Sequence, residues 1–244
     1  MRHVKVMQPI KPCNLQKNAG FTLIELLIGL TLGLMVIAST LTLYVITTRS
    51  SSDLLHSTRL NHDLETIMQI MTHDIRRARY QGSSPSAIPS LETYSSGTSF
   101  DACILYSYWD DQIGLTPEIK YYGFQLQNNA IRLRKSGLNN DDCDSSDNDW
   151  EKITEENVTQ ITELTFSDAE SQCFNATNPN QPTSKGACTT VNSAASSGNS
   201  ITKISHITIS LSGALAHDPT VKKTLEASVT VANHCIYSKG QPPC

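Results

Sequence analysis

The stretch "NAGFTLIELLIGL", Asn18–Leu30, decides the architecture, because it opens a long apolar helix and sets one carboxylate, Glu25, inside it. From Leu26 to Ile46, twenty-one consecutive residues carry no charge. At about 1.5 Å per residue, a helix of that length spans the ~30 Å hydrocarbon layer of a bilayer. Arg2, Lys5, Lys11 and Lys17 precede it, and the first twenty residues hold no Asp or Glu. The positive-inside tendency keeps that end cytoplasmic and exports the C-terminal bulk. A cleaved secretory signal has a shorter apolar region closed by a small-residue cleavage site, whereas this segment runs on into more helix. Hydropathy alone therefore reads as a plain N-terminal anchor.

Glu25 is what that reading leaves unused. A charge at the centre of a span costs roughly 2.5–3.5 kcal/mol on insertion scales and is kept where it has a partner. Two explanations are open. Glu25 lies only five residues into the apolar run and can reach the headgroups, or it pairs with a cation from a neighbouring subunit.

"GFTLIELLI", Gly20–Ile28, resembles the class III signal of type IV pilins and pseudopilins, in which a basic leader ends in Gly and an apolar helix starts at Phe with Glu as its fifth residue. The resemblance implies that a prepilin peptidase cuts between Gly20 and Phe21 and methylates the new amino group of Phe21. It also implies that Glu25 pairs with the N-terminal ammonium of an adjacent subunit during assembly, which offsets the burial of both charges.

The cysteine count is consistent with leader removal. Of seven cysteines, Cys13 lies in the leader, and its loss leaves Cys103, Cys143, Cys173, Cys188, Cys235 and Cys244, an even set. An exported domain is oxidised, and no C-x-x-C pair argues for zinc, so disulfides are expected and no metal. Six cysteines allow fifteen pairings. Local closure ranks Cys173–Cys188 and Cys235–Cys244 first and leaves Cys103–Cys143 by elimination. Leader loss also takes 4 of the 19 basic residues, leaving 15 against 23 acidic ones, a net charge near −8. Such a surface is a poor general partner for nucleic acid, whose affinity rests on Lys and Arg neutralising phosphates.

No Pro occurs from Phe21 to Ser84, and Leu60, Leu64, Ile67, Met71, Ile75 and Ala78 recur at helical spacing, which predicts an amphipathic stalk packed on a head domain. The helix is expected to end in "DIRRARYQG", where Arg76, Arg77 and Arg79 suit the negative helix terminus and Gly82 supplies a left-handed stop. The same segment resembles the stalk ending of PilW-family minor pilins and of J-type pseudopilins of type II secretion. Ser83–Ser99 reads as a linker. Strands are expected at Ala102–Tyr108, Glu118–Leu126 and Ala130–Lys135, the last two joined by a tight turn at "QNNA", and further on at Thr159–Ser167, Ile201–Leu211 and Lys222–Asn233. Asn175–Ser200, rich in Asn, Ser, Thr and Pro, reads as an exposed loop pinned by Cys173 and Cys188.

The expected fold class is therefore α+β, a long N-terminal helix packed on an antiparallel β-sheet head with a disulfide-pinned loop. The expected organisation is a leader over 1–20, a transmembrane half-helix over 21–48, a stalk over 49–82, a linker over 83–99 and a periplasmic head over 100–244. No G-x-S-x-G, H-E-x-x-H or P-loop occurs, and His73 and His206 read as surface residues, so neither an enzyme nor a cofactor is expected. The acidic run Asp141–Asp149 lacks the Gly that a calcium loop needs at its sixth position and reads as a solvated loop.

The resemblance implies a minor pilin that helps initiate a type IV pilus and forms part of its tip complex. Its partners would be other minor pilins, the major pilin, the prepilin peptidase, an inner-membrane assembly platform and a tip adhesin. Its place would be the inner membrane, single-pass with a periplasmic head, and then the surface filament. A type II secretion minor pseudopilin is the alternative within the same chemistry, and an independently anchored periplasmic binding protein the alternative of another class.

Overall fold

Helix α1, Leu23–Ile75, contributes a stripe of buried side chains from Leu60 to Ile75, and this stripe organises everything that follows it. The computed structural model describes residues 20–82, 90–94, 102–110, 118–135, 143 and 150–240. The chain divides into two compact units, Met1–Asp53 and Leu54–Cys244.

In the first unit α1 is apolar and exposed all round, and α1 as a whole is long and apolar enough to cross a membrane. Its hydroxyls do not break that character. Thr40 donates to the Val36 carbonyl at 3.0 Å, Thr42 to Ala38 at 2.9 Å and Thr47 to Leu43 at 2.8 Å, so each polar side chain is satisfied by its own helix.

In the second unit Leu60, Leu64, Ile67, Met71 and Ile75 are all buried, as the helical spacing predicts, and Met68 joins them. They pack against antiparallel strands rather than against a single sheet. Strands β1 (Leu91–Tyr94), β2 (Ala102–Asp110), β3 (Glu118–Gln127), β4 (Ala130–Arg134) and β5 (Trp150–Lys152) form one sheet in chain order. Strands β6 (Thr159–Ser167), β10 (His206–Leu215) and β11 (Lys222–Thr230) form a second, with β10 central. The third is ordered β12 (Cys235–Ser238), β9 (Ser200–Ile204), β7 (Gln172–Asn175), β8 (Lys185–Ala187). The two larger sheets share one core with α1, in which Ile104, Phe124, Ile161, Ile209 and Leu211 meet the helix stripe. The expected α+β class stands, with three sheets where one was anticipated.

The expected hairpin is present. Asn128 and Asn129 both take positive φ, 54° and 60°, as a two-residue turn matching the strand twist requires. The helix ends inside the expected segment, but the first left-handed residue is Arg79 (φ 63°), with Gly82 (φ 54°) following it. The last turn tightens through Arg77 and Ala78, whose N–H groups donate to Asp74 and Ile75 at 3.0 Å. Arg79 N–H then donates to the Ser107 carbonyl at 2.8 Å, which turns the chain onto β2. Gly82 has a steric reason of its own, since a Cβ there would lie 2.2 Å from Cδ1 of Trp109.

Three expectations are corrected. The stretch read as a linker contains β1, four residues that pair along β2 from Leu91 opposite Tyr106 to Tyr94 opposite Cys103. Four residues are too few to raise a periodicity signal. The single strand expected over Ile201–Leu211 is two, β9 and β10, which part at Ser205 and enter different sheets. The insert Asn175–Ser200 is not simply a loop, because it carries β8 and helix α2 (Cys188–Ala194) over a small core of Cys173, Val191 and Ile201. So few apolar residues, so far apart, leave no pattern in a polar sequence.

Candidate processing and assembly site

Gly20 and Phe21 precede α1, Phe21 being 88% exposed, and a Cβ built on Gly20 meets nothing within 4 Å. The bond between them therefore lies outside the helix and clear of the rest of the described chain. Thr22 and Glu25 close the helix start reciprocally. The Glu25 carboxylate accepts from the Thr22 N–H at 3.0 Å and from its hydroxyl at 2.8 Å, while Thr22 Oγ1 accepts from the Glu25 N–H at 3.3 Å. This is a capping box, in which two helix-end donors are satisfied by each other's side chains. Sequence reasoning read Glu25 as a charge that either reaches the headgroups or pairs with a neighbouring subunit, and not as a helix cap. The T-x-x-E spacing was the available signal for Thr22.

Among the cysteines, Cys103 is bonded to Cys143 across a separation of 40 residues and Cys173 to Cys188 across 15. Cys235 is also disulfide-bonded. Cys244 and Cys13 lie outside the described residues, as does the acidic run 141–149 apart from Cys143. Among the described residues, no group of three or more His, Cys, Asp or Glu side chains is placed to hold a metal ion. His206 sits on β10 with Nε2 at 3.5 Å from Glu170 and Nδ1 at 3.1 Å from the Thr230 hydroxyl, and His73 is an exposed helix residue.

The end of α1 is fixed to the strands by charge and aromatic contact. Asp74 accepts a hydrogen bond from the Tyr106 hydroxyl, and the Arg77 guanidinium lies 4.4 Å from the centroid of Tyr108. Tyr108 in turn stacks on Tyr122, with centroids 4.5 Å apart. Burial pushes the Tyr106 phenol well above its ordinary value, and the Asp74 carboxylate adds to the shift. Arg79 is buried and donates from Nη1 to the Ser205 hydroxyl at 2.7 Å, at the point where β9 and β10 part. Burial lowers its pKa to about 10, against an opposing pull from Asp168. Asp74, Arg77 and Arg79 thus clamp the strands, a role beyond the favourable charge at a helix terminus. Sequence reasoning also missed an open groove of about 250 Å³ between α1 and the β5–β6 loop, lined by Arg59, Asp63, Ile70, Ile153 and Val158.

Residues 53–231, most of the chain, match the family described as prepilin peptidase-dependent protein B. The chain belongs to that family. Residues 15–41 match the prokaryotic N-terminal methylation motif, a span that holds Gly20, Phe21, Thr22 and Glu25 together. The protein is thus of the pilin and pseudopilin type, a membrane-anchored, type IV pilin-like chain with a β-sheet head. No curated protein matches it.

Proposed function

We propose that this chain is a minor subunit of a type IV pilus, which helps initiate filament assembly and takes a place in the tip complex with other minor pilins and the major pilin. What carries the reading is the coincidence of the methylation motif over 15–41 with a family match over 53–231 on one chain. The head supports a minor role, since three sheets and several disulfides make an elaborate cap rather than a minimal repeating unit. Prepilin peptidase removes residues 1–20 and methylates Phe21, and the chain waits in the inner membrane until an assembly platform extracts it. Glu25 then pairs with the ammonium of a neighbouring subunit. Pilin-like families are structural, and the chain is not an enzyme in this reading.

Intact mass of the membrane-extracted protein tests the first step. The expected mass lacks residues 1–20 and carries one added methyl group, and a full-length chain in a peptidase-competent cell would overturn it. Gly20→Ala meets no steric obstacle among the described residues, so a processing loss in that variant reports the peptidase and not the fold. A deletion strain decides between the two machines: loss of surface pili with intact secretion supports the pilus, and the reverse supports a type II secretion pseudopilus.

A further inference from the structure

We draw no further inference here: the strongest candidate, the open groove of about 250 Å³ between α1 and the β5–β6 loop, lined by Arg59, His62, Ile70, Ile153 and Val158, carries nothing because nothing in the structure shows what covers it.

Discussion

The seam between α1 and the second sheet includes one especially close approach, and a double substitution measures it. Leu64 is fully buried, and a Cβ built on Gly213 lies 2.9 Å from its Cδ2 and 3.5 Å from its Cδ1. Carbon atoms pack best at about 3.5–4.0 Å, so alanine at 213 forces the buried end of the Leu64 side chain to shift. Gly213→Ala alone should cost about 1–2 kcal/mol, in the usual range for overpacking. Leu64→Ala alone should cost about 3–5 kcal/mol through lost transfer energy and a cavity. Together they should not add. With both δ carbons gone, the nearest neighbour of the new methyl is the Gln160 carbonyl oxygen at 3.4 Å, a tolerable contact, and the methyl fills part of the space that leucine left. The double variant should therefore be more stable than the sum by at least ~1 kcal/mol, a coupling typical of residues in contact. Urea unfolding of the full chain in micelles, followed by tryptophan fluorescence, gives all four corners of the cycle. Additivity within ~0.5 kcal/mol would refute the claim that the helix rests on the sheet at Gly213.

Tyr106 binds its proton more tightly in the folded chain than in the unfolded one, so its contribution is complete below pH ~10 and is lost as the pH rises from there towards the folded value, by up to ~1.4 kcal/mol per pH unit. Tyr106→Phe should flatten the alkaline limb of stability against pH by that slope relative to wild type, and an unchanged limb counts against a buried, carboxylate-bound phenol. Gly123→Ala should lower the urea midpoint by about 1–3 kcal/mol in stability, because its Cβ would sit 2.6 Å from the Ile104 carbonyl oxygen, a backbone atom that cannot step aside. A wild-type midpoint would show the strands to be less closely spaced there. Paired Cys173→Ser and Cys188→Ser should cost about 3 kcal/mol on the chain-entropy account of a loop that long and should speed proteolysis within 175–200, while cleavage elsewhere stays slow.

How far the sequence disclosed the fold depended on whether a residue's reason was local. The stripe from Leu60 to Ile75 was legible because one helix face repeats every three to four residues. The Asn128–Asn129 turn was legible because few other residues tolerate positive φ twice in succession. The break at Ser205 was not, since its cause is the Arg79 guanidinium and the Val231 N–H, both remote in sequence, and the strand signal runs through it unbroken. Likewise α2 and β8 form where a disulfide and Val191 close on Ile201, a combination with no local pattern. At the candidate site the reverse holds. Gly20, Phe21 and Glu25 stand within six residues, inside the matched methylation motif over 15–41, so their pattern is local and legible without the fold.

Glu25 has two partners to account for, and they can be separated. Within the chain its carboxylate caps α1 through Thr22. Between chains, in the proposed assembly, it meets the ammonium of a neighbour. Glu25→Val abolishes both, whereas Glu25→Gln keeps an acceptor at the third helical position and loses only the charge, glutamine being as acceptable as glutamate in a capping box. Thr22→Ala keeps the charge and removes the hydroxyl, at a cost of about 0.5–2 kcal/mol to the helix start. Neither change at Glu25 should hinder insertion, since an uncharged residue enters the bilayer more readily. The head lies in the other unit of the chain and should keep its disulfides in all three variants. If charge pairing governs assembly, the glutamine variant fails in a deletion strain as completely as the valine variant, and Thr22→Ala assembles with at most partial loss. Wild-type assembly by Glu25→Gln at matched expression would leave helix capping as the whole function of the carboxylate and end the pairing mechanism for this chain.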